Sequence, residues 1–191
     1  MSGHHSGHEI EIKLRLRGAD DGLARLRGLG FQAVTERVFE QNEVFDDTGL
    51  SLRAGKCLLR VRQVGGEVTL TFKGAPVPGR HKSREEIELR LSDAAAMGRV
   101  LSRLGYEPVF RYEKYRTTFA RADEPGQVTL DETPIGDFFE LEGPPEWIDR
   151  TAGQLGFSEG DYITASYGSL FAQHCEATGS DRRHMVFGEA G

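Results

Sequence analysis

The stretch His8-Glu9-Ile10-Glu11-Ile12-Lys13-Leu14-Arg15-Leu16 sets two carboxylates, Glu9 and Glu11, and two cations, Lys13 and Arg15, on alternate residues. A period of two puts these four on one face of a strand, about 7 Å apart, with Ile10, Ile12 and Leu14 on the other. Such a row could hold a hard divalent cation through its carboxylates and an anion through its cations. Alone it carries little weight, because a charged strand face is usually a solvated one. The weight comes from repetition. Arg60 and Arg62 oppose Leu59 and Val61, and Thr69, Thr71 and Lys73 oppose Val68, Leu70 and Phe72. Arg84, Glu86, Glu88 and Arg90 oppose Ile87 and Leu89, while Lys114, Arg116 and Thr118 oppose Tyr115 and Phe119. Thr129 and Asp131 then oppose Val128 and Leu130, and Glu140 and Glu142 oppose Phe139 and Leu141.

The elements that must position these residues can be read in chain order. After the first strand, Gly18 to Gly30 predicts a short helix with Leu23, Leu26 and Leu29 on one face. Strands are expected over 42–46, 56–64 and 67–74, the last two joined as a hairpin at Gly65-Gly66. Residues 74–83, GAPVPGRHKS, read as a mobile loop carrying Arg80, His81 and Lys82. The segment Arg84 to Leu91 repeats the opening pattern, and a helix capped near Ser92-Asp93 follows it, with Met97, Val100, Leu101 and Leu104 on one face. Further strands are expected over 111–122, 127–132 and 137–143, then helices over 146–156 and 161–175. The two halves echo one another, each a strand, a helix and then antiparallel strands.

Composition bounds the answer. The 191 residues suit one domain, expected over 8–175, between a flexible leader (1–7) that holds His4 and His5 and a frayed tail (176–191). A net charge of −6 argues against a nucleic-acid polymer as partner. It leaves room for an internal cluster of cations. No apolar run is long enough to span a membrane, and the N-terminus lacks an apolar signal core, so a cytoplasmic location is expected. Cys57 and Cys175 are isolated thiols without metal-type spacing, expected to be reduced. Self-association as a homodimer is left open.

About eight strands sharing one apolar and one charged face call for a closed sheet, in which the charged faces converge on a lumen. Buried charges are tolerated only when paired or bound to a counter-ion. Lys13, Arg60, Arg62, Lys73, Arg84, Lys114 and Arg116 suit a polyanion, arginine especially, since its fork donates two hydrogen bonds to one phosphate. Glu9, Glu11, Asp131, Glu140 and Glu142 suit Mg²⁺ or Mn²⁺. Together they read as a site for a metal-bound phosphate chain. The competing reading is a mutual salt-bridge network with no ligand.

The segment Glu9-Ile10-Glu11-Ile12-Lys13 resembles the E-x-E-x-K signature of the CYTH family, the triphosphate tunnel metalloenzymes. The resemblance continues through Leu59-Arg60-Val61-Arg62, Thr71-Phe72-Lys73-Gly74, Arg84-Glu85-Glu86-Ile87-Glu88 and Glu113-Lys114-Tyr115-Arg116. It ends with Leu130-Asp131-Glu132, Phe139-Glu140-Leu141-Glu142-Gly143 and Ser166-Tyr167-Gly168-Ser169-Leu170, and covers about residues 8–172. It implies an α+β fold, an eight-stranded antiparallel barrel or triphosphate tunnel with flanking helices. It also implies catalysis by Glu9, Glu11, Lys13 and Glu88, phosphate binding by the seven cations named above, and metal binding by the five carboxylates. Glu86 and Glu88 would orient the cations or assist the metal. One position departs from the pattern: relatives often carry lysine where this chain has Ala165, so its role would be supplied elsewhere, for instance by Lys82.

The pattern is most similar to class IV adenylyl cyclases, which implies conversion of ATP to cyclic AMP and pyrophosphate. Hydrolysis of inorganic, thiamine or nucleoside triphosphate is the alternative. A non-catalytic polyphosphate- or nucleotide-binding module is a third reading, which the acidic cluster disfavours. A cyclase needs a gripped sugar and base at one mouth, and Arg80, His81 and Lys82 are expected there.

Overall fold

In the computed structural model, residues 5–188 are described. Eight antiparallel strands close into a barrel in the order β1-β5-β4-β3-β2-β6-β7-β8, with β8 returning to β1. The strands are β1 (His5–Arg15), β2 (Gln32–Asp46), β3 (Leu58–Val64), β4 (Glu67–Lys73), β5 (Lys82–Leu91), β6 (Glu107–Ala120), β7 (Gln127–Thr133) and β8 (Gly136–Glu142). The helices are α1 (Ala19–Gly28), α2 (Ser51–Ala54), α3 (Ala94–Arg103), α4 (Pro145–Gln154) and α5 (Tyr167–Thr178). The expected α+β barrel with flanking helices is what the chain forms. Among the described residues, no helix is long and apolar enough to cross a membrane.

Alternation drives closure. Most strands turn their apolar residues outward, largely against helices, and their charged residues inward. Ile12, Leu14, Leu130, Phe139 and Leu141 pack with Leu26 of α1 and with Trp147, Ile148 and Ala152 of α4 in the largest apolar cluster. Phe45, Val61, Val68 and Leu101 form another under α3. Each buried side chain of this kind contributes about 1.5–3 kcal/mol. Gly126 is required where it stands, since a Cβ there would come within 2.3 Å of the Trp147 ring. The β3–β4 hairpin turns at Gly65 and Gly66, whose φ values of 53° and 95° suit glycine.

Five expectations are corrected. The strand expected to begin at Asn42 begins ten residues earlier, at Gln32. Its outer half is almost wholly exposed, so no alternating apolar face announces it. Lys82 belongs to β5 and not to a loop. The helix expected from Asp161 begins at Tyr167, capped by the Ser166 side chain, which accepts from the Ser169 N–H. Before it, Ile163 pairs through its backbone with Lys13, where β5 has run out beside β1.

The fourth correction is the tail. Expected to fray after Glu176, it continues in α5 to Thr178 and then docks on the barrel. Met185 is fully buried among Tyr112, Tyr167, Leu170 and Phe171. Its N–H donates to the Arg111 carbonyl, and its carbonyl accepts from Glu113, above the point where β7 joins β6. The leader expected over 1–7 is likewise partly strand, because the backbone of residues 5–7 pairs with β5, while His4 lies outside the described residues.

Candidate active site inside the barrel

The inward faces line one cavity of about 1060 Å³. All seven cations expected from the sequence border it, and Lys82 is an eighth. Glu9, Glu11, Glu86, Glu88, Glu140 and Glu142 border it too. Register explains the grouping: Glu11 lies opposite Lys82 on β5 and opposite Glu142 on β8, while Lys13 lies opposite Glu140.

The charges form two clusters. In the inner one, Asp131 is completely buried and fully engaged. It accepts from Lys114 at 2.9 Å, from Arg116 Nε and Nη2 at 2.6 Å each, and from the Tyr167 hydroxyl at 2.6 Å. Arg116 also donates to Glu140 at 2.9 Å, and Lys13 bridges Glu140 at 2.9 Å and Glu11 at 3.2 Å. Burial would raise Glu140, but Lys13, Arg116 and Lys114 outweigh it and hold its carboxyl well below the usual range. Glu11 is likewise lifted by burial, yet Lys13 and Lys82 (2.7 Å) bring it down to about 2. The same opposing charges push Lys13 above the ordinary lysine range in spite of its burial.

The other cluster is short of positive charge. Lys73 contacts both oxygens of Glu9, at 2.6 and 2.5 Å, and Glu86 at 3.0 Å. Burial nevertheless pushes Glu9 up, and Glu11 and Glu86 add to the shift. Burial raises Glu142 as well, helped by Glu9 and Glu140, and Glu142 has a hydrogen bond only from Gln127, at 3.1 Å. Carboxylates crowded until their charge is disfavoured are what a divalent cation relieves. Glu9, Glu11 and Glu142 are hard oxygen donors, so they fit Mg²⁺ or Mn²⁺. Among the described residues, no three acidic, imidazole or thiol groups already converge on a common point. Asp131 and Glu140 are tied instead to the inner cations, and Asp131 does not border the cavity.

Donors are left over as well. The Nε atoms of Arg60 and Arg84 are buried without a hydrogen-bond partner. Arg60 spends its other nitrogens on Tyr112 (3.1 Å) and Thr71 (3.0 Å), and Arg84 approaches Glu9 only at 3.7 Å. An unpaired buried donor costs about 1–3 kcal/mol, which an anion in the cavity would recover.

Several residues that hold or touch the lining had no clear sign in the sequence. Glu40 of β2 approaches Lys114 at 3.5 Å and Arg62 at 3.7 Å, and Asn42 accepts from Arg62. The Tyr112 ring belongs to the apolar cluster around Met185, but its hydroxyl lies among cations: Arg60, Lys114 and Arg62 draw it below the ordinary tyrosine value against the effect of burial. Arg80 and His81, expected at the mouth, face away from it. Both contact Asp149 of α4 at 2.7 Å, so of their loop it is Pro76 that reaches the cavity.

A model of the CYTH domain matches residues 7–167. The chain belongs to the CYTH family. A protein of Methanocaldococcus jannaschii named "putative adenylate cyclase" is 28% identical to this CYTH chain over 134 residues, 70% of the chain and 75% of that protein. Among solved structures, a "putative adenylate cyclase" of Vibrio parahaemolyticus superposes with a TM-score of 0.74 at 20% identity, over 88% of this chain and 99% of that one. A "putative adenylyl cyclase" of Hippeastrum, described as having a dominant triphosphatase activity, gives 0.64 at 19% identity, over 86% and 95%. At these identities the structural likeness is one of fold.

Proposed function

We propose that this CYTH protein is a divalent-metal-dependent enzyme that binds a triphosphate inside the barrel and converts ATP to cyclic AMP and pyrophosphate. The observation that carries the reading is the pair of orphaned buried donors, Arg60 Nε and Arg84 Nε, on the wall of a cavity lined by eight cations. A closed salt-bridge network with no ligand would not leave them unsatisfied. A phosphate chain would take them, with Arg62, Lys73, Lys114 and Arg116 neutralising the rest of its charge. Glu9, Glu11 and Glu142 would hold the metal, which when bound neutralises phosphate charge and polarises phosphoryl oxygens. Lys13 and Glu88 act from the wall, Lys13 as a fixed positive charge toward the bridging oxygen and Glu88 by holding Thr71 (2.9 Å) beside Arg60. Apolar side chains at the mouth, including Leu52, Leu58, Phe110 and Phe171, suit a nucleoside and are superfluous for a bare phosphate chain. Cyclisation needs that nucleoside gripped, so that its 3′-oxygen lies in line with the α-phosphorus.

Hydrolysis of inorganic or thiamine triphosphate is the second reading. It is favoured by the depth of Lys13, Lys114 and Arg60, all buried, which can grip a triphosphate without help from the mouth. It is also the activity attributed to the Hippeastrum protein. Turnover of ATP, thiamine triphosphate and inorganic triphosphate, with products identified and with chelator as control, decides between them. Cyclic AMP and pyrophosphate from ATP, lost in chelator and restored by Mg²⁺ or Mn²⁺, is the expected result. Phosphate release alone gives the hydrolase, and full turnover in chelator removes the metal.

A further inference from the structure

The cations of the cavity differ in how they are held. All eight cations that point into the barrel lie within 4 Å of a carboxylate that also belongs to the barrel wall, Arg62 through Glu40 at 3.7 Å. Four more cations border the same cavity at its outer end: Arg53 on α2, Lys56 just after it, and Arg182 and Arg183 on the docked tail. Arg182 is half-buried and donates to the Val186 carbonyl at 2.6 Å. The other three are exposed, and none has a side-chain hydrogen bond or an ion pair among the described residues.

Their backbones are nonetheless fixed. Asp46 accepts from the N–H of Leu52 and of Arg53, at 3.0 and 2.8 Å, and pins α2 to the end of β2. Lys56 is held at φ 57°, its N–H donating to the Arg53 carbonyl. Arg183 is two residues from Met185, whose burial and backbone bonds fasten the tail to β6. Two anchored segments from distant parts of the chain, α2 with its following turn and the docked tail, thus bring unpaired positive charge to one rim. Arg183 also lies beyond the residues 7–167 that match the CYTH domain, so the tail supplies it independently of the shared barrel.

The cavity continues the positive lining outward from the buried cations, and its volume of about 1060 Å³ exceeds the range of about 300–1,000 Å³ usual for small-ligand sites. We propose that Arg53, Lys56 and Arg183 form an outer anion-binding collar that takes the distal part of a condensed-phosphate chain longer than three phosphoryl groups. The inner end of that chain occupies the triphosphate site, so the inference rests on the function proposed above. Flexible, hydrated cations suit this ligand, because a linear polyphosphate repeats the same charge at every unit and needs no fixed register. A chain bound in this way fills the mouth and excludes a nucleoside from it. Inorganic polyphosphate is therefore a competitive inhibitor of ATP turnover, and a stronger one than inorganic triphosphate.

The test is calorimetric titration of the full chain with inorganic triphosphate and with a short inorganic polyphosphate several times longer, both with Mg²⁺, counted per chain of ligand. The variant combines Arg53→Ala, Arg183→Ala and Lys56→Asn, asparagine being chosen because it tolerates a positive φ. The wild type should bind the longer chain at least about tenfold more tightly, since three exposed charge pairs each give up to about a fivefold gain. The variant should bring the two affinities within about twofold of each other, by losing the longer chain alone. Equal affinities in the wild type overturn the collar, and so does a variant that keeps the preference. A wild type that binds neither ligand refutes the collar and the inner site together. If it ignores triphosphate yet binds the longer chain through these three residues, the inner site fails and the collar stands.

Discussion

Asp131 offers the sharpest test of how the buried charges divide their work. The sequence places it among metal ligands, whereas its contacts make it the keystone of the inner cations: Lys114, both nitrogens of an Arg116 fork, and the Tyr167 hydroxyl. Asp131→Asn preserves the shape, removes the charge, and turns an N–H₂ toward one of those donors. Breaking a buried ion pair from one side costs about 3–5 kcal/mol. Arg116 keeps Glu140 at 2.9 Å and Lys114 keeps Glu40 at 3.5 Å, which argues for the lower end of that range. A loss of about 3 kcal/mol in a chain of this size lowers the melting temperature by about 6–12 °C. Thermal unfolding without phosphate or metal reads this directly. Triphosphate should recover part of the loss by offsetting the two freed cations, whereas Mg²⁺ alone should not. A variant melting within about 2 °C of the wild type would refute the keystone assignment. A wild type stabilised by Mg²⁺ alone, through an effect that Asp131→Asn abolishes, would restore Asp131 to the metal ligands.

Glu142→Gln should act in the opposite direction. Burial, Glu9 and Glu140 raise the Glu142 carboxyl, so its ionisation costs stability as pH rises through that value; the variant should melt a few degrees higher than the wild type at pH 8 and equal it in acid below about pH 4. Identical melting at pH 8 would show that the charge is not strained. Met185→Ala should lower stability by about 2–5 kcal/mol, because the side chain is wholly enclosed. A loss below about 0.5 kcal/mol in urea titration would mean that the tail is not docked.

The barrel was legible because its construction is periodic. Wherever apolar residues face helices and charges face the lumen, as along Glu9 to Arg15 or Glu140 to Glu142, two-residue alternation identifies the strand and its buried face together. Where a segment has no buried outer face, the signal vanishes, and Gln32 to Gln41 is such a segment. Glu40 was lost with it, although it neutralises two cations of the site. Lys82 was named but assigned to a loop for a different reason: the turn residues of GAPVPGRHKS hide a strand start, and its ammonium is placed by pairing with Glu11, 71 residues away. What the alternation cannot divide is labour among like residues. Glu140 and Glu142 are two residues apart on one face of one strand. Yet Glu140 is held far below the usual carboxylate range by Lys13, Arg116 and Lys114, and Glu142, without such partners, is raised. The distinction arises from the stagger of the closed barrel, which sets Glu140 beside Lys13 and Glu142 beside Glu11. A charged row on one strand therefore becomes two sites only when the neighbouring strands fix which carboxylates meet lysine and arginine. In this row it is Glu142, set beside Glu11 and without a lysine or arginine of its own, whose charge a bound metal would relieve.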